Sequence, residues 1–233
     1  MSGTLDFLCA GAVQGLVKAL QARFSQETGI AVQGRFGAVG AMKEALLAGE
    51  PCDVMIVTDA MVLSLQDSGA LDARPRTALG RVRTGMAVRA GEPLPDVATP
   101  ESLKACLLSA TALYVPDTER STAGIHFLSV LRALGIDQAL APRLRIFPNG
   151  ATAMRELASS EPGAIGCTQI TEILYTPGIA LVGALPQQFE LATVYSAAVT
   201  SGSAQVQAAQ RFVDLLGSAD TRAMRAEGGF EFD

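Results

Sequence analysis

Four stretches of this chain pair small residues with a potential helix start: CAGAV (9–13), FGAVGA (36–41), STAG (121–124) and NGATA (149–153). The first-turn N–H groups of a helix have no intrahelical acceptor and sit at the positive end of its dipole. They can therefore hold a carboxylate or an inorganic oxyanion, provided small side chains let it approach. The candidate ligand-binding residues are Gly11 and Ala12, then Ala38, Val39 and Gly40, then Ser121, Thr122, Ala123 and Gly124, and last Asn149 and Ala151. Ser121 and Thr122 add hydroxyls within the loop DTERSTAGIHF (117–127). In the same loop Arg120 either forks onto a carboxylate or is solvated. Every βα unit needs a turn, so one such junction says little. The expectation rests on four of them converging.

The remaining polar candidates are few. His126 is the single histidine and lies about one turn into a helix. It is either a proton donor to a ligand or a helix-face histidine bonded to a nearby carbonyl, and its isolation favours the second reading. Gln169 follows the apolar run AIGCT; it either donates to and accepts from a ligand or caps the next turn. Arg81, Arg83 and Arg89 alternate along a strand and are read as a solvent-facing edge. Cys9, Cys52, Cys106 and Cys167 show no CxxC or metal-ligand spacing. They are read as buried apolar residues, and neither a metal nor a cofactor is expected. No dinucleotide fingerprint, phosphate loop or nucleophile elbow occurs.

These residues must be positioned by an alternation of strands and helices that runs through almost the whole chain. Residues 12–27 put Val13, Leu16, Val17, Leu20 and Phe24 on one helical face, closed by Gly29. DVMIVT (53–58) is a near-continuous apolar run, as in a buried parallel strand. Asp59 is the expected N-cap of the helix after it, and Thr99 with Pro100 opens another. Long strands are expected near 81–90 and 191–200, and two helices, 203–216 and 218–227, end the chain. The pattern predicts an α/β protein of two lobes joined by two crossovers, 1–80 plus 198–233 and 81–197, with a ligand cleft between them.

Composition agrees. Of 233 residues 49% are hydrophobic and 18% charged, ample for such cores. The net charge of −5 and the lack of a Lys/Arg run exclude a nucleic-acid footprint. No stretch approaches the roughly 20 apolar residues of a membrane span. The opening MSGTLDFLCAGAVQGLV does not read as a signal peptide. The expected location is cytoplasmic if Met1 is the native start, and periplasmic if an export signal has been removed.

Taken in order, FSQETGIAVQGRFGAVGAMKEALLAGEPCDVMIVTD (24–59), STAGIHFLSVLRALGI (121–136), EPGAIG (161–166) and LLGSADTRAMRAEGGFEFD at the end resemble the molybdate-binding-protein-like branch of type 2 periplasmic substrate-binding proteins. The elements at Ala48–Asp53 and Thr122–His126 are the more specific ones. The resemblance spans nearly the whole chain and implies the two-domain Venus-flytrap fold with two crossover strands. In that family's oxyanion site the positions falling at Ala12 and Val39 are serines, and the one at Gln169 is a tyrosine. Those at Ala123 and Ala151 offer backbone N–H groups. Three side-chain donors are thus replaced, two by apolar groups, which leaves a buried oxyanion underserved. The resemblance therefore implies a larger organic di- or tricarboxylate rather than molybdate.

The segment LYTPGIALVGALPQQFELATVYSAAV (174–199) is further similar to a divergent branch that includes aconitate isomerase. The resemblance implies a monomeric solute-binding protein for a small anion, with an ABC-transporter permease as partner if exported. The alternative is an isomerase or tautomerase of an unsaturated carboxylic acid. His126 would then be the candidate acid/base, with Glu119, Glu172 and Tyr195 behind it.

Overall fold

The structure is a computed structural model describing residues 3–232. The chain divides into two compact units, one running up to Arg81 and resuming at Thr193, the other Val82–Ala192. The return crossing falls at Ala192/Thr193, earlier than the 197/198 read from the sequence.

The first unit opens with β1 (Thr4–Ala10), a 3-10 turn at Gly11–Val13 and α1 (Gln14–Thr28). There follow β2 (Ala31–Gly37), α2 (Val39–Leu47), β3 (Val54–Thr58), α3 (Asp59–Asp67) and the start of β4 (Thr77–Arg89). Its strands run in the order β2, β1, β3, β9, where β9 is Ala192–Val199. β1 is parallel to both β2 and β3, and β9 is antiparallel to β3. Val54 to Val57 are fully buried, which is why β3 carries no alternation. α1 buries Leu16, Val17, Leu20 and Phe24 and stops at Gly29, whose φ of 71° admits the left-handed cap. Phe24 meets Phe212 of α9 (Val206–Gly217) edge-on, with centroids 5.1 Å apart.

In the second unit come α4 (Pro100–Ser109), β5 (Leu113–Pro116), α5 (Thr122–Ala133), α6 (Asp137–Leu140) and β6 (Leu144–Phe147). They are followed by α7 (Gly150–Ala158), β7 (Ile165–Gln169), α8 (Ile170–Tyr175) and β8 (Ile179–Ala184). α10 (Arg222–Glu227) closes the chain in the first unit. Strand order is β4, β7, β5, β6, with β8 on the other side of β4. β5 is parallel to β6 and β7; β7 and β8 are antiparallel to β4. One face of this sheet, with Met86, Val115, Ile165 and Cys167, is covered by Phe127, Val130 and Leu131 of α5. The other, with Ala87, is covered by Met154 and Leu157 of α7.

Several local expectations change. Thr58, not Asp59, caps α3, accepting the Met61 N–H. Asp59 instead binds Arg76 and the Ser196 hydroxyl, an arrangement that holds its carboxyl below the usual range. The strand arginines do not simply face solvent. Arg81 lies 3.7 Å from Glu231, Arg83 3.8 Å from Glu190, and Arg89 bonds both Glu92 and the Ser160 carbonyl. Cys9, Cys106 and Cys167 are buried, whereas Cys52 is half-buried; burial pushes its thiol to about 12. Among the described residues no cluster of His, Cys, Asp or Glu could hold a metal, and no helix is long and apolar enough to cross a membrane.

Asp53, the last residue of the AGEPCD element, is a clasp at the amino end of β3. Its carboxylate accepts the Asp6 N–H at 3.0 Å and the Ser203 hydroxyl at 2.5 Å. Its own backbone bonds Asp6 and Thr200. Asp53→Ala should therefore lower stability by about 1–3 kcal/mol, read as a lower urea midpoint with an unchanged slope.

Candidate functional site

In the first unit the parallel register sets Ala10 beside Gly37, so β1 and β2 end level with each other. Each strand leads directly into a helical turn through an extended alanine, Ala10 or Ala38, that offers no side-chain cap. The Gln14 N–H bonds the Gly11 carbonyl at the end of the 3-10 turn, and the first bond back into α2 is made by Met42, to Ala38. The N–H groups at Gly11 and Ala12 and at Val39, Gly40 and Ala41 have no helical acceptor. Ala12, Ala38 and Val39 are buried and bring only methyl groups.

In the second unit the corresponding turns follow β5 and β7. Tyr114 pairs with Gly166, which brings the carboxyl ends of these parallel strands level. The loop after β5 is shaped by Asp117, whose carboxylate accepts the N–H groups of Glu119 and Arg120 in an Asx turn. Arg120 itself is exposed. Ser121 then stands at the N-cap of α5, buried and extended, yet its hydroxyl caps nothing. Ile125 makes the first bond back, to the Ser121 carbonyl at 2.9 Å. The N–H groups of Thr122, Ala123 and Gly124 precede it. A methyl on Gly124 would run into the backbone carbonyls of Pro116 and Asp117, so only glycine lets this first turn sit so close to the end of β5.

Gln169 ends β7 on the same side of the strand as Ile165 and Cys167, the side that α5 covers. It is 2% exposed, and neither its Oε1 nor its Nε2 has a partner among the described residues. It does not cap α8, so the capping reading fails. Its register partner on β4 is Thr84, also buried with an unpartnered hydroxyl, and Thr171 in the first turn of α8 has one as well.

The fourth junction is different. Asn149 caps α7 by accepting the Thr152 N–H, and the Ala151 N–H is given to Glu172 Oε1 at 3.2 Å. Glu172 is buried; it also accepts the Thr168 hydroxyl at 2.5 Å and faces the N–H groups of Gly150 and Gln169. At this helix end the first-turn N–H groups of Gly150 and Ala151 meet the protein's own Glu172 carboxyl group. The signal lay in the sequence Q-I-T-E, where a glutamate three residues after the N-cap reaches back to it.

His126 Nε2 is 2.8 Å from the Phe189 carbonyl, the second of its two readings. Glu119 is exposed, and Tyr195 is buried at 2% exposure in β9.

Comparison with known proteins identifies the class. Residues 5–231 match the family described as bacterial extracellular solute-binding protein, and the chain belongs to that family. It is 26% identical over 98% of its length to an aconitate isomerase from a Pseudomonas species, of which 87% is covered. It is 24% identical over 86% of its length to the molybdate-binding protein ModA of Escherichia coli K12, of which 78% is covered. The periplasmic molybdate-binding protein of Azotobacter vinelandii superposes with a TM-score of 0.81 at 18% identity, over 98% of this chain and 99% of that one. The fold is thus the two-domain α/β fold of type 2 periplasmic binding proteins.

Two outcomes are expected for the second unit. Gly124→Ala should lower the melting temperature, at a cost of about 1–3 kcal/mol for the overpacked turn. Burial raises the Glu172 pKa above its usual 4.5. A raised acid contributes stability below its unfolded pKa and loses it as pH rises through the folded one. The stability advantage of wild type over Glu172→Gln should therefore shrink as pH rises from about 4.5, as urea midpoints across pH would report.

Proposed function

We propose that this chain binds a small organic anion, a di- or tricarboxylate, as a solute-binding protein. One contrast carries the reading. Side chains cap α3, α4 and α7 through Thr58, Thr99 and Asn149, while the uncapped starts of α6, α9 and α10 carry exposed or half-buried first turns. At Ala10, Ala38 and Ser121 no side chain caps the turn, and small buried residues surround the donors that lack a helical acceptor. One carboxylate would lie on the N–H groups of Ala123 and Gly124 with the Ser121 and Thr122 hydroxyls. The Gly11–Ala12 and Ala38–Gly40 turns of the first unit offer a further candidate set of N–H donors for a carboxylate. The E. coli and A. vinelandii relatives bind molybdate; in this chain methyl groups at Ala12 and Val39 supply no hydroxyl donor, which favours a carboxylate. Family membership supports a periplasmic location and an ABC-transporter permease as the partner.

The aconitate isomerase relative favours a second reading, isomerisation of an unsaturated carboxylic acid. The engaged His126 ring speaks against it, since a base must be in reach of the proton it takes.

The deciding experiment is a thermal-shift titration with molybdate, sulfate and a panel of di- and tricarboxylates, each hit followed by proton NMR in D2O. A carboxylate that raises the melting temperature and stays unchanged supports binding. Deuterium incorporation supports the isomerase, and a shift with molybdate alone overturns the carboxylate. Ser121→Ala should weaken the carboxylate about fivefold, the worth of one hydrogen bond.

A further inference from the structure

Resting on the binding reading, we infer that the ligand is a hydroxycarboxylic acid whose hydroxyl pairs with Gln169. Both ends of the Gln169 amide are buried, and neither has a partner. Nε2 is a donor and suits any carboxylate, but Oε1 can only accept. A fully ionised oxyanion or a plain carboxylate also only accepts. Such a ligand leaves Oε1 buried and unsatisfied, with its lone pairs facing like charge.

Thr84 narrows the class further. It is 1% exposed, stands opposite Gln169 across the β4–β7 pair, and projects its unpartnered hydroxyl from the same face. A ligand hydroxyl can donate to Gln169 Oε1 and accept from Thr84 Oγ1 at once, which satisfies all three groups. An ammonium donor fits less well. Gln169 and Thr84 are neutral, and the buried carboxylate in this unit, Glu172, is already engaged by Thr168 and Ala151. Because α5 covers the face onto which Gln169 projects, and β5 ends level with β7, the carboxylate beside this hydroxyl falls at the first turn of α5. The class is then a 2-hydroxy acid, with hydroxyl and carboxylate on neighbouring carbons.

Calorimetric titration of the full chain with matched pairs tests this: malate against succinate, citrate against tricarballylate, lactate against propionate. The hydroxylated member should bind at least about tenfold tighter in the pair that fits the site. Gln169→Leu should reduce that preference to about twofold, read as the ratio of the two dissociation constants within the pair. Equal affinities within every pair overturn the inference and leave carboxylate binding standing. A hydroxyl preference that survives Gln169→Leu overturns it as well. If no acid of either kind binds, the binding reading fails and takes this inference with it. The wild-type comparison needs no variant, so poor folding of Gln169→Leu does not remove the test.

Discussion

The Glu172 carboxylate fixes the second unit. It is buried against the first turn of α7, takes the Thr168 hydroxyl from β7, and reaches back to the start of its own helix. Three elements meet on one carboxyl group. Burying a carboxylate is costly unless its lone pairs are satisfied, and here four donors face it. Its presence also explains Gly150: any side chain there would occupy the space of Glu172 and Thr168. By holding the Gln169 backbone, Glu172 sets where β7 stops and hence where the Gln169 amide projects.

The consequence is a division of labour among helix ends. Dipole and orphan N–H groups are common to all of them, so what differs is who satisfies them. α3 and α4 use a threonine, and α7 uses Asn149 and Glu172 together. α5 uses nothing from its own N-cap, although Ser121 is a residue type that caps well. A serine withheld from capping, beside a glycine that brings the turn hard against β5, fits a site arranged for something other than the fold's own stability. On that reading the α5 end is where an incoming charge is met.

Much of this was legible in the sequence, because strand and helix periods differ and the chain alternates between them. The apolar run at 53–58 and the helical face from Val13 to Phe24 needed no structure. Thr99 with Pro100 marked its helix, and there the capping box was found. What the sequence hid was pairing across distance. Asp59 looked like a cap because it precedes an apolar run, but Arg76 and Ser196 claim it, and the cap moved one residue back to Thr58. NGATA looked like STAG, since both offer small residues at a helix start. Only the partner from α8 tells them apart. The short α6 carries too few residues for a period to be read. Gln169 was ambiguous for a related reason: whether an amide caps or waits for a ligand depends on a cross-strand neighbour, and neighbours come from register.

A net charge of −5 does not oppose an anion site of this kind. Exposed charges are screened over about 8 Å at physiological ionic strength, so surface carboxylates contribute little at a buried position. The N–H groups of a first turn act at hydrogen-bond distance, in a medium of lower dielectric, where each counts for far more. Specificity then falls to the neutral groups. Under the proposed function, backbone N–H groups donate to any anion of suitable size, and Ala12 and Val39 offer a tetrahedral one no hydroxyl. The Gln169 amide, buried and without a partner among the described residues, carries a donor and a separate acceptor face. Under the proposed function it shifts selection from charge, which the helix ends already supply, to the pattern of donors and acceptors beside it.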